Sequence, residues 1–195
     1  MVRFRDITFA TAVIAALSLV GCANQRMAAL PEPKTVIAPS SDKATIVFMR
    51  AASLGGVVHS SVFDLSTEPP ILVGILSWHE KIAYMANPGA RRFMVIGETA
   101  KFMDTNLIAG KTYYVRVVPH MGLWKARFSL DPVATSMAAS DLNSDLESCG
   151  WVENTPSSFE WARDNMSSIE AKKAKYLPGW QGDGEKSTLK AEDGR

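Results

Sequence analysis

Between Lys43 and Pro132 the apolar positions recur with a period of two rather than three to four. Tyr113, Val115 and Val117 share one side of the run Tyr113 to Val118, while Thr112, Tyr114 and Arg116 take the other. Trp124, Ala126, Phe128 and Leu130 alternate in the same way with Lys125, Arg127 and Ser129. Successive strand side chains point to opposite faces, so a strand with one face on a core produces this alternation. Ala44 to Met49 differs in being apolar on both faces, and it is followed by Arg50 and the breaker Gly55-Gly56. Further short runs at Val57 to Leu65, Ile71 to Leu76, Ile82 to Met85, Phe93 to Ile96 and Lys101 to Leu107 are separated by Pro69-Pro70, Asn87-Pro88-Gly89 and Ala109-Gly110. The pattern predicts a mainly β fold, an antiparallel β-sandwich of seven to eight strands over 43–131 with a C-terminal α-helix. No helical pattern separates the strands, which excludes a doubly wound α/β arrangement.

The flanks lose this texture. Residues 132–156 are small and polar and read as an irregular connection, with room for a short helix around Met137 to Leu146. Residues 157–177 read as one helix, started by Ser157 or Ser158 and carrying Lys172, Lys173 and Lys175 near its C-terminal end, where cations complement the helix dipole. Phe159, Ala162, Met166, Ile169 and Tyr176 form its apolar stripe, expected to dock on the sandwich. Pro178-Gly179 should end the helix, and the Gly- and charge-rich residues 178–195 should be disordered. Residues 22–42, with Pro31, Pro33, Pro39, Ser40 and Ser41, read as a flexible linker.

Residues 1–21 have the layout of a targeting segment rather than of a folded element. Arg3 and Arg5 precede an uncharged apolar stretch from Ile7 to Val20, shorter than the roughly 20 residues a spanning helix needs. The stretch ends in Leu19-Val20-Gly21-Cys22, which resembles the lipobox of bacterial lipoproteins. That resemblance implies cleavage before Cys22 and attachment of two or three acyl chains there, enough for stable membrane anchoring. Ala23, rather than Asp, follows the cysteine, which resembles the sorting signal for an outer membrane and a periplasm-facing domain.

Composition narrows the function classes. Lys and Arg together number 21 against 20 Asp and Glu, a formal charge of +1, without the basic excess of a nucleic-acid binder. Removing residues 1–21 takes away Arg3, Arg5 and Asp6 and leaves the two signs equal. Of the two cysteines, lipidation consumes Cys22 and leaves Cys149 without an intramolecular partner, a small hydrophobe in a core. His59, His79 and His120 lie too far apart in the chain for the close spacings of zinc sites. There is no nucleophile elbow, and Gly55-Gly56 lacks the lysine of a phosphate-binding loop. No catalytic residue, metal ligand or cofactor is therefore expected. Arg91-Arg92 reads as a solvated strand edge, and Trp161 lies off the helix stripe and is expected to pack against the irregular segment, with an interface role left open.

Several segments together resemble a family of uncharacterised bacterial lipoproteins. They are Pro88-Gly89, Phe93 to Glu98, Leu107 to Val115 with its Ala109-Gly110-Lys111-Thr112-Tyr113-Tyr114 core, and Met121 to Phe128. The resemblance implies a small prealbumin-like, carboxypeptidase-regulatory-like β-sandwich and brings no catalytic residues. The expected function is a non-enzymatic binding or structural module of the envelope, touching the membrane through Cys22 and holding an envelope protein or a cell-wall component. The alternatives are an envelope hydrolase or transferase with a site assembled around His59, His79 or His120, and a lipid-interacting protein using the Lys172 to Lys175 end.

Overall fold

The computed structural model describes residues 26–31, 40–52, 58–121 and 126–195. The expected leader, Cys22, most of the expected linker and Trp124 lie outside them. The strands are β1 (Met27–Ala29), β2 (Ala44–Arg50), β3 (Ser60–Asp64), β4 (Ile71–Leu76), β5 (Glu80–Ala86) and β6 (Gly89–Ile96). They continue as β7 (Ala100–Leu107), β8 (Thr112–Met121), β9 (Ala126–Pro132), β10 (Gly150–Asn154) and β11 (Thr188–Leu189). Helices α1 (Ala139–Glu147), α2 (Pro156–Asp164) and α3 (Met166–Gln181) complete the fold.

Among the described residues these strands form two sheets, ordered β1-β10-β5-β2-β8-β9 and β11-β7-β6-β3-β4. They stack on a shared core in which Phe48 of β2 meets Phe93 of β6 at 5.4 Å between ring centroids, with Tyr84 of β5 edge-on to Phe93 at 6.0 Å. The fold is mainly β, as the alternation predicts, but both sheets are mixed rather than antiparallel. β2 runs antiparallel to β5 and parallel to β8, with Phe48 opposite both Ile82 and Val115. β10 pairs parallel to β5, and β11 parallel to β7. Alternation reports which face a residue occupies and carries no information about a neighbour's direction. Every residue of β2 is buried, because its inner face meets the second sheet while Met49 on its outer face packs with Val133, Leu142 and Cys149 beside α1. That double cover explains a run apolar on both sides.

Three expected boundaries are corrected. Within the expected linker, Met27–Ala29 is a strand: it pairs with β10 from Met27 opposite Asn154 to Ala29 opposite Val152, and Met27 is buried. Within the expected irregular connection, α1 falls where a short helix is predicted, and β10 then inserts between β1 and β5. The expected disordered tail is ordered. Leu189 is fully buried, β11 extends the second sheet, and the backbones of Arg195 and Thr112 exchange two hydrogen bonds of 2.9 Å. Such two- and three-residue strands are too short to show a period; pairing with a preformed edge supplies their stability.

The single expected helix is two. Asn165 breaks it, with φ −102° and ψ 6°, while both its backbone N–H and its side-chain amide donate to the Trp161 carbonyl. α3 then runs through Pro178 instead of stopping there. The extra turn buries Trp180 between Phe102, at 5.6 Å, and the Arg92 guanidinium, at 5.0 Å. Burying an aromatic side chain contributes about 1.5–3 kcal/mol, which rivals the roughly 3 kcal/mol penalty of an interior proline. Ala162 and Ile169 of the predicted stripe are buried in the common core, so the helical segment does dock. Phe159 of that stripe, however, is exposed, and Trp161, expected off the stripe, packs against the core.

Candidate functional site

A cleft of about 410 Å³ opens where α2 and α3 meet the β3–β4–β6 face of the second sheet. Its floor comes from period-two alternation: Ser61 pairs with both Ile75 and Ile96, so the three side chains share one face, and all are buried. His59, just before β3, and Arg26, just before β1, stand at its edges, and Trp161 of α2 and Lys172 of α3 close it from the helical side.

Each wall is held from behind. The Arg26 guanidinium lies 5.7 Å from the Trp161 ring centroid, and the Arg26 carbonyl accepts a 2.8 Å hydrogen bond from the Thr155 hydroxyl at the start of α2. Lys172 Nζ donates at 2.7 Å to the carbonyl of Gly97, in the turn after β6. A side chain at Gly97 would sit 2.8 Å from the Phe128 ring, so this close approach requires glycine. His59 Nδ1 and Ser77 Oγ are 2.8 Å apart. Loss of solvent around the imidazole, then the positive charges of Arg26 and Arg50, hold its pKa below the ordinary 6.5. The ring is thus neutral at pH 7. The lining combines two cations, Arg26 and Lys172, with one carboxylate, Glu98, an apolar floor and one aromatic wall. The arrangement suits recognition of a polar or anionic group on an apolar body.

No family model matches the chain, and no curated protein matches it. The roles of its residues therefore rest on geometry alone.

The three histidines are not brought together. His79 has a left-handed backbone, φ 59°, in the turn between β4 and β5, and its Nδ1 lies 2.8 Å from the Ser148 carbonyl. His120, on β8, places Nε2 2.8 Å from Ser129 Oγ, and Ser129 in turn donates to Asp131 at 2.6 Å. The serine occupies the middle of that chain and gives its proton to the carboxylate, whereas a catalytic triad needs histidine in the middle. Among the described residues no group of three His, Cys, Asp or Glu side chains is placed to hold a metal ion.

Arg91 and Arg92 are not a solvated edge. Arg91 reaches 2.8 Å to Asp64, whose side chain is wholly buried, and Arg92 makes a two-pronged contact with Asp104 at 2.6 and 3.0 Å. Asp64 also accepts from the Tyr84 hydroxyl at 2.9 Å and the Ser66 N–H at 2.8 Å. Burial, followed by the Asp64 charge, pushes the Tyr84 phenol above its ordinary range. Cys149 is buried, as expected, and burial raises its pKa, leaving an unreactive thiol. The lysine cluster is divided among separate tasks: Lys172 binds Gly97, Lys173 pairs with Glu68 at 2.5 Å, and Lys175 lies 5.3 Å from the Tyr176 ring. Arg26 went unread as a site residue because it sits in a stretch without periodicity. Trp161 left the one usable sign, an aromatic off its helix stripe.

Proposed function

We propose that this chain is a lipid-anchored protein of the bacterial envelope, held through Cys22 on the periplasmic face of the outer membrane. We propose further that it acts as a non-enzymatic binding module with a prealbumin-like sandwich. The Arg26, Trp161 and Lys172 cleft is where it holds an envelope protein or a cell-wall component. The observation that carries this reading is the position of Arg26. It forms one wall of the cleft and directly precedes β1, which is hydrogen-bonded into the first sheet. From Cys22 to Arg26 the chain spans at most about 14 Å. An acylated Cys22 would therefore keep the cleft near the bilayer instead of letting the domain range on a long linker. Cations beside an apolar floor and an aromatic wall favour holding a partner. His59 and Ser77 are paired at the edge of the cleft, but among the described residues no carboxylate is hydrogen-bonded to the His59 ring to orient it as a triad would require.

The deciding experiment is photocrosslinking in cells from position 161, with exposed Phe159 as a control position and Cys22→Ser as the anchor control. The expected result is a discrete crosslinked species at position 161, lost in the Arg26→Ala/Lys172→Ala double variant and reduced by Cys22→Ser. Absence of any crosslink, together with turnover of an envelope substrate that a histidine replacement abolishes, would favour a hydrolase or transferase and overturn this reading. The lipid-handling alternative has less support, since the three lysines do not form one patch: Lys172 lines the cleft, whereas Lys173 pairs with Glu68 and Lys175 lies over the Tyr176 ring.

A further inference from the structure

A second cavity, on the outer face of the first sheet, has a different chemistry. It is a half-open pocket of about 460 Å³, walled by Val47 of β2, Tyr114 of β8, Leu146 of α1 and Trp151 of β10. Lys81 of β5 lines it and is only 6% exposed. Its ammonium donates to the carbonyls of Leu146, at 2.6 Å, and of Cys149, and lies 4.9 Å from the Trp151 ring. These contacts have a structural use, since α1 carries no basic residue in its last turn and Lys81 supplies a cation to its C-terminal end. They occupy two of three N–H donors. None of the ion pairs among the described residues includes Lys81. A buried ammonium with only dipolar partners is costly, and an anion brought beside it recovers part of that cost.

We propose that this cavity is a binding site for a small monocarboxylate with an apolar body, its head on Lys81 and its body between Tyr114, Leu146 and Trp151. The volume lies within the range of small-molecule sites, and apolar walls with one placed charge are their usual construction. Glu147 stands at the rim, so a second negative charge on the ligand is disfavoured, and a single carboxylate fits better than a phosphate monoester. This site goes beyond the cleft at Trp161 and does not depend on acylation of Cys22.

The test uses the full chain in phosphatidylcholine nanodiscs, with empty nanodiscs as the blank, in equilibrium dialysis against 4-phenylbutyrate. Saturable binding of one molecule per chain is expected, about tenfold or more weaker for the uncharged 4-phenylbutanol, as befits loss of a hydrogen bond to a charged group. Lys81→Met should weaken 4-phenylbutyrate to a similar degree, and Glu147→Gln should tighten it. Binding that does not saturate, or alcohol and acid bound equally tightly, overturns the proposal. Should Lys81→Met fail to fold, the acid–alcohol comparison and Glu147→Gln still decide.

Discussion

At the scale of single residues, the fold keeps a few charges under apolar cover and satisfies them. Asp64 is the clearest case, buried entirely and answered by Arg91, Tyr84 and the Ser66 N–H. Asp64→Ala would strand the Arg91 guanidinium, itself only 12% exposed, and should cost about 3–5 kcal/mol, the usual consequence of removing one partner of a buried pair. Denaturant midpoints at an unchanged slope would check this. His59 offers a pH test of opposite character. Its folded pKa lies below the unfolded value, so protonation favours unfolding. The stabilisation from the neutral ring is complete above the unfolded pKa, near 6.5, and is lost as pH falls through the lower folded value. Stability measured from pH 8 downward should therefore decline below about 6.5, and His59→Gln should reduce that decline. An unchanged profile in His59→Gln would show that the ring is as well solvated as in the unfolded chain.

At the scale of elements, short segments matter beyond their length. β11 has two residues, yet it covers the β7 edge at Asp104 and Thr105, buries Leu189, and leads to a turn in which the Ala191 carbonyl accepts from the Tyr113 hydroxyl at 3.2 Å. Deleting 187–195 should lower the melting temperature and leave β7 as an open edge, prone to pairing between molecules. A thermal melt with light scattering would read both effects; a truncated chain as stable and monodisperse as the intact one would show the tail to be dispensable. The strands from 44 to 107 and most of β8 and β9 were legible in the sequence because each is an apolar or alternating run bounded by turn residues. β1, β10 and β11 were not, since their partners define them. The break at Asn165 and the passage through Pro178 were hidden for a related reason: local propensity argues for one helix ending at Pro178, and burial of Trp180 offsets it.

At the scale of the whole molecule, the proposed anchor makes a direct prediction. Mass spectrometry of protein purified from a membrane fraction should find a mature chain beginning at an acylated Cys22, with the precursor uncleaved there in Cys22→Ser; an unmodified Cys22 would sink it. The residues around each cleft show how far a sequence alone can go here. It determined that the molecule is mainly β, which residues of the run Tyr113 to Val118 turn inward, and that a helical segment follows the strands. Those properties depend on near neighbours in the chain, and near neighbours are what periodicity records. Only the tertiary structure decided that β2 and β8 run parallel and that Met27–Ala29 closes one edge. It alone set Arg26 beside Trp161 and brought Lys81 to the carbonyls of Leu146 and Cys149. Each of these joins segments tens of residues apart, and their free energy comes from pairing and burial at the final geometry, which no local pattern encodes.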